Sequence, residues 1–335
     1  MMKAMTVAAP GGLDRLRLEE RPDPGDPGPG EIRVALHGSS LNYHDYGVAT
    51  GGMPTEDGRV PMADGGGTVE AVGEGVREFA VGDSVVSCFF PDWLAGPPRI
   101  GDFSRTPGDG IDGFAQERVV LPATAFTRAP KGYDAVEAAT ITTAGLTAWR
   151  ALVVDGNLKA GDTVLLLGTG GVSIWALQIA KVMGARVAIT SSSDEKLERA
   201  RTLGADFTLN YRSEAEWGRR VRDWSGAGVD HVVEVGGPGT LAQSIEAVRV
   251  GGHISLIGVL TGRGGEVPTA ALMAKQARLQ GLIVGSRADQ QAFVTALEAT
   301  GIRPVVDRRF ALEDLADAFR YEESGSHFGK IGVEW

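Results

Sequence analysis

The chain is poor in cysteine, histidine and positive charge. Its 335 residues include one cysteine, Cys88, and five histidines. A single thiol excludes an intrachain disulfide and any metal site built from several thiolates, and a reducing, cytoplasmic setting is the simplest expectation. Acidic residues outnumber basic ones, 43 to 33, for a net charge of −10. That balance argues against non-specific binding to nucleic acid or an anionic membrane, and it leaves room for a local basic pocket. No run approaches the roughly 20 apolar residues of a membrane span, and the opening M-M-K-A-M-T-V-A-A-P lacks the apolar core of a secretory leader. Internal repeats, low-complexity tracts and heptads are also missing.

Glycine is plentiful, at 48 residues. The most informative cluster is V-L-L-L-G-T-G-G-V-S, residues 164–173. Four apolar residues, a glycine turn and then helical periodicity read as a buried parallel strand running into a helix. Val172, Trp175, Ala176, Ile179, Ala180 and Met183 form one apolar stripe along that helix. Gly168, Gly170, Gly171 and Val172 then sit at the helix N-terminus, where unpaired N–H groups and the helix dipole favour an anion. The motif is G-x-G-x-x-S, with Ser173 where a dinucleotide fingerprint has its third glycine.

The length exceeds what one hydrophobic core sustains, so two domains are expected. Before residue 130 the chain reads as short strands, at 6–9, 32–36, 68–72, 84–87 and 116–120, separated by turns such as R-P-D-P-G-D-P-G-P-G. A barrel-like β unit fits best. Residues 133–154 read as helix. Strands at 186–190, 207–210, 229–235 and 253–258 then alternate with helices at 194–203, 214–223 and 240–248, which specifies an α/β doubly wound parallel sheet. A sixth, apolar strand is expected at 279–284, followed by a helix at 290–299, a strand at 305–310 and a helix at 312–321.

An NAD-binding unit of this kind carries an acid about 20 residues beyond the glycine loop to receive the ribose 2′-hydroxyl. Here that place falls near Ser191, in T-S-S-S-D-E-K. Hydroxyls of Ser191 and Ser192 tolerate a 2′-phosphate and Lys196 supplies charge, so NADPH is preferred and NAD is the alternative. Ser192 and Glu195 have capping-box spacing, which accounts for the nearby acids. Tyr211 follows the third strand. Gly236, the run Ile257, Gly258 and Val259, and the run Gly285, Ser286 and Arg287 follow later strands, at the edge where open α/β sheets bind ligands.

Several motifs in order resemble the medium-chain dehydrogenase/reductase superfamily, and within it the zinc-independent, quinone-oxidoreductase-like branch. They are S-S-L-N-Y-H-D-Y, P-M-A-D-G-G-G-T-V-E-A-V-G-E-G-V, F-A-V-G-D-S-V, A-G-L-T-A-W, the glycine loop and the closing H-F-G-K. The resemblance implies a GroES-like β-rich catalytic domain (residues 1–130), a Rossmann domain (131–286), a C-terminal segment (287–335) returning to the first, and a nicotinamide in the cleft between domains. Zinc enzymes of the superfamily carry cysteine, Gly-His-Glu, and cysteine or aspartate in the segments that here hold N-Y-H-D, A-D-G and T-T. Only His44, Asp45 and Asp64 are ligand types there, so no metal is expected. The resemblance assigns catalytic positions to Asn42, Tyr43, Asp64 and Thr143, and cofactor contacts to Thr147 and Lys330.

The resulting expectation is an NADP(H)-preferring oxidoreductase that transfers hydride between the nicotinamide and a quinone, enone, or carbonyl or alcohol substrate. A non-catalytic NADPH-binding redox sensor or structural protein is the alternative. A methyltransferase, which would use the same glycine loop, is disfavoured by the missing ribose-binding acid. Phe90, Trp93 and Phe114 are candidate pocket aromatics in or near a loop that could cover the cleft, and Cys88 is expected to be buried. The apolar sixth strand invites a homodimer that continues the sheet across a two-fold axis.

Overall fold

The computed structural model describes residues Met1–Trp335. They form two compact units, Met1–Leu146 with Val284–Trp335, and Thr147–Ile283. The first unit therefore takes residues 131–146 and 284–286, which the sequence motifs assign to the Rossmann domain. Val136 explains part of this boundary: a side-chain carbon on Gly38 or Gly332 would lie 2.8 or 2.4 Å from its methyl groups, so the start of the helical run is packed onto the first unit's strands.

The first unit contains β1 (Met2–Val7), β2 (Leu16–Arg21), β3 (Glu31–Ser40), β4 (Gly66–Val72), β5 (Ser84–Ser87), β6 (Arg118–Pro122) and β7 (Phe126–Arg128). A short helix, α1 (Tyr43–Ala49), follows β3. The hairpin β1–β2 is antiparallel over its full length; the Arg-, Glu- and Leu-alternating β2 gives no apolar run to detect. Residues 135–154 are helical apart from a turn at Thr140, with π turns at Ile141–Gly145 and Arg150–Val154. Asp134 caps this run by accepting from Glu137 N at 2.9 Å, an interaction that secures one of the orphan N–H groups.

The second unit alternates strictly. Its elements are β8 (Thr163–Leu167), α2 (Gly171–Val182), β9 (Arg186–Ser191), α3 (Asp194–Thr202), β10 (Phe207–Asn210), α4 (Trp217–Ser225), β11 (Val229–Glu234), α5 (Pro238–Ala247), β12 (Val248–Leu256), α6 (Thr269–Ala274) and β13 (Arg278–Gly281). The strands form one parallel sheet in the order β10-β9-β8-β11-β12-β13, reversing direction of growth at β8. Every residue of β8 is buried, and each fully buried Val or Leu stabilises the fold by about 1.5–3 kcal/mol. The buried face of α2 is wider than the stripe read from sequence, because Ile174 and Leu177 are buried as well. A helix apolar on most sides is an interior helix.

The sixth strand is shorter than its apolar pattern suggested. β13 ends at Gly281, and Val284 stands in the left-handed region at φ 46°, which ends extended pairing. Leu282 and Val284 are buried, whereas Ile283 is exposed. After this point α7 (Arg287–Thr300), β14 (Val306–Ala311), α8 (Leu315–Glu323) and β15 (Lys330–Glu334) rejoin the first unit. Its larger sheet runs β14-β15-β3-β4-β5-β7, with β6 also paired to β3. No helix is long and apolar enough to cross a membrane.

Candidate active site

In the second unit, the glycine loop lies at the switch point of the sheet, between β8 and α2. Gly168 has φ +72° and open space where a side-chain carbon would stand. Gly170 is the N-cap of α2 and offers no side-chain cap, so the first N–H groups of a 12-residue helix, including those of Gly171 and Val172, are left for an anion. Ser173 has a different task. Its hydroxyl donates to Leu167 O at 2.7 Å and is buried, tying the first helical turn to the end of β8. A glycine at this place would allow close packing; the serine replaces that with a hydrogen bond.

At the ends of β9 and β10 the structure corrects the expected helix cap. Ser193, rather than Ser192, is the N-cap of α3 and accepts from Lys196 N at 3.3 Å. Ser191 ends β9, is buried, and accepts from Ser193 N at 3.3 Å. Tyr211, 44% exposed, donates its N–H to Ser191 O at 3.1 Å. The two strand ends are therefore adjacent, and exposed Arg212 follows.

Glu234, the last residue of β11, is fully buried and was not singled out from the sequence. Its Oε1 accepts from Gly236 N at 2.8 Å, Gly237 N at 3.0 Å and Thr240 Oγ1 at 2.6 Å, and its Oε2 from Ser244 Oγ. An acid between a buried strand and a glycine pair was the available signal. It shapes the turn that carries Gly236, whose added side-chain carbon would lie 2.2 Å from Thr240 Oγ1. Glu234 O also receives Ile257 N at 2.8 Å and Gly258 N at 3.3 Å, next to exposed Val259. Thr147 is buried, on the helical stretch Leu146–Trp149.

The remaining residues assigned to the cofactor belong to the first unit. Lys330 is 3% exposed; its ammonium donates to Leu41 O and, at 2.6 Å, to Asn42 Oδ1, and lies 3.6 Å from Asp64 Oδ2. It neutralises an internal carboxylate and is not offered to a phosphate. Arg287 donates to Phe126 O at 2.9 Å and to Glu78 Oε1 at 2.6 Å. Ser286 caps α7 in a reciprocal pair with Asp289. Gly285 is buried, and a side-chain carbon there would lie 3.0 Å from Leu146.

Those same contacts reveal a polar cluster. Asp64, fully buried, accepts from Thr143 Oγ1 at 2.6 Å through Oδ1 and from Ser40 Oγ at 2.5 Å through Oδ2. Asp45 accepts from Ala63 N at 2.8 Å through Oδ1, and through Oδ2 from Asn42 N at 3.1 Å and Asn42 Nδ2 at 3.0 Å. Asn42 is thereby engaged at both ends of its carboxamide, which corrects its assignment as a free donor to substrate. Thr143 gives its proton to Asp64 and presents only lone pairs elsewhere. Tyr43, 49% exposed, is the assigned residue with an accessible hydroxyl; partial burial and the charge of Glu322 keep its phenol above its usual pKa.

The cluster holds more acid than base. Burial, reinforced by Asp64, raises Asp45 to about 6 against the pull of His44. Glu322 on α8 is 4% exposed with Oε2 unpartnered. Burial pushes its carboxyl up to about 8, opposed by Lys330 and reinforced by Asp45. Y-E-E-S reads as a solvated helix end, so no sequence signal marks Glu322. No three His, Cys, Asp or Glu side chains converge as a ligand set, and the Asp45 and Asp64 oxygens already accept from the groups named above.

The aromatic loop is folded inward. Phe89, Phe90 and Trp93 are 2, 4 and 6% exposed, and Trp93 O and Leu94 O receive the N–H groups of Arg287 and Ala288 at 2.9 Å. Phe114 is a core residue, packed edge-on to Phe126. Cys88 is buried, which raises its thiol to about 12 and leaves it protonated.

A GroES-like β unit and a parallel sheet with a glycine turn at its switch point are the architecture of a class of two-unit nucleotide-dependent oxidoreductases. Residues 28–131 match the alcohol dehydrogenase GroES-like domain, and residues 171–299 the zinc-binding dehydrogenase family. The chain is 41% identical over 329 residues to a zinc-type alcohol dehydrogenase-like protein of Schizosaccharomyces pombe, covering 96% of this chain and 95% of that one. It superimposes on an NAD-dependent alcohol dehydrogenase with a TM-score of 0.90 at 35% identity, and on mycobacterial Rv1454c, solved with NADPH, with 0.83 at 28%. Both superpositions cover 100% of each chain. The chain belongs to the medium-chain dehydrogenase/reductase superfamily and is an NAD(P)-dependent oxidoreductase.

Proposed function

We propose that this protein is a metal-independent, NADPH-preferring reductase of quinones, activated C=C bonds or carbonyl compounds. The observation that carries this reading is the Asp64 cluster, in which hydrogen-bond donors and the Lys330 ammonium surround the carboxylates at the positions that resemble the zinc site. Three converging ligand side chains are what a catalytic zinc needs, and the residues present do not fit one.

Bound NADPH supplies the hydride. The N–H groups at the start of α2 would hold its pyrophosphate, and the open space at Gly168 accommodates close approach. Preference for the 2′-phosphate is supported by Ser191 at the end of β9, where an acid would repel it, with Ser192, Lys196, Tyr211 and exposed Arg212 close in the fold or sequence. Each charge-assisted hydrogen bond contributes about 1.5–3 kcal/mol, enough for a tenfold preference or more. Within the first unit, Tyr43 is the accessible donor for a developing oxyanion, while the Asp64 and Asp45 network holds Thr143 and Asn42 in place.

The test is fluorescence titration with NADPH and NADH, followed by turnover over quinones, enones, aldehydes and ketones with and without chelator. Tighter binding of NADPH by tenfold or more and chelator-insensitive turnover are expected; equal affinities or loss of activity to chelator would contradict the reading. Assembly as a homodimer through β13 is part of the proposal. It is supported by exposed Val259, Leu260, Val267, Met273 and Ile283 near that edge in the chain, and a monomeric mass at micromolar concentration would count against it.

A further inference from the structure

The second unit has a polar cleft at the strand ends away from the glycine turn. Register sets His231 of β11, His253 of β12 and Arg278 of β13 side by side, so their side chains leave the same face of the sheet. With Lys159, Asp230 and Arg249 they line a cleft of about 330 Å³, a volume that suits a small organic ligand. Although burial opposes its ionisation, hydrogen bonds from Lys159 and His231 hold the Asp162 carboxyl below its usual pKa. A carboxylate only accepts, so His231, 3.2 Å away through Nε2, donates that N–H to Asp162 Oδ2. Burial lowers the pKa of His231 against the pull of Asp162, which leaves the ring neutral with its lone pair on Nδ1. His231 is 6% exposed, and Nδ1 has no partner. A buried acceptor of this kind calls for an O–H or N–H donor. Arg278 supplies the complementary charge. Its Nε donates to His253 Nδ1 at 2.7 Å and its Nη2 to Asp155 O. Burial, reinforced by Arg278, lowers His253 to about 4, so both partners of the guanidinium are neutral. Lys159 and Arg249, by contrast, are already paired with Asp162 and Asp230.

We infer that this cleft binds a small hydroxylated oxyanion, a hydroxycarboxylate or a phosphate ester, with its anionic group on Arg278 and a hydroxyl donating to His231 Nδ1. An arginine whose charge meets only neutral groups retains its fork of donors for a carboxylate or phosphate. The site lies at the opposite end of the strands from the nucleotide turn: β11 begins beside the cleft and ends at Glu234, which shapes the turn carrying Gly236. Its occupant therefore does not compete with the nucleotide, and the inference is independent of the proposed reduction.

Isothermal titration calorimetry of the full-length protein tests this with L-tartrate and glycerol 3-phosphate. Each is paired with a probe that keeps the charge and lacks the hydroxyls, succinate and propyl phosphate. At least one hydroxylated anion is expected to bind about tenfold more tightly than its control, with the same affinity at saturating NADPH. His231→Phe keeps a ring and removes Nδ1; it should abolish the preference within the pair. Arg278→Gln should weaken the hydroxylated anion and its control alike, by about tenfold. Circular dichroism checks the fold of each variant. No binding, equal binding within both pairs, or loss of binding under NADPH overturns the inference. So does an unchanged preference in His231→Phe. If that variant does not fold, an unchanged affinity in Arg278→Gln decides the same way. A protein that binds tartrate and reduces no acceptor overturns the proposed function and leaves this inference standing.

Discussion

The glycine turn of the second unit and the acidic cluster of the first are built on opposite principles. The turn uses backbone: no side chain caps the helix start at Gly170 and Gly171, and the Ser173 hydroxyl bonds six residues back to Leu167. The cluster uses side chains brought from distant segments, as in the bond from Lys330 to Asn42, 288 residues apart. Local backbone geometry tolerates single changes, whereas a buried charge network depends on every member.

The comparison can be broken most forcibly at Lys330. Lys330→Met leaves Asp64 buried near Asp45 without its counter-ion, and a loss of about 3–5 kcal/mol is expected in denaturant unfolding. A smaller effect should come from Glu322→Gln, and its sign follows from protonation. With its pKa raised from 4.5 to about 8 in the folded state, Glu322 holds a proton that the unfolded chain releases. Its contribution to stability is therefore full below pH 4.5 and is lost as pH rises towards 8. Between pH 5 and 8 the wild type should lose on the order of 2–4 kcal/mol more than the glutamine variant. The smallest effect is expected at Ser173. Ser173→Ala removes one buried hydrogen bond, costing about 1 kcal/mol in stability, while NADPH affinity measured by titration stays unchanged.

Legibility follows the same division. Strands β5 and β10 fall where alternation and apolar runs place them, and the glycine loop declares itself because strand, turn and helix are contiguous. Ser193 was displaced by one residue from the expected cap because three serines in a row offer equivalent chemistry. A cation's charge is legible in sequence without its partner: Lys330 and Arg287 lie against Asp64 and Glu78, each more than 200 residues away. Glu322 sits in a polar stretch that looks like surface. Its burial is a property of tertiary packing.

The central claim is that hydride transfer proceeds through this chain's own donors without a metal. Protein stripped of metal by chelator and dialysis, incubated with NADPH carrying deuterium on the transferring face of C4 and a quinone or enone, tests it directly by mass spectrometry of nucleotide and product. The account predicts formation of NADP⁺ at the untreated protein's rate, with deuterium delivered to the substrate carbon of an enone. Transfer that vanishes on stripping and returns only with added zinc would contradict it.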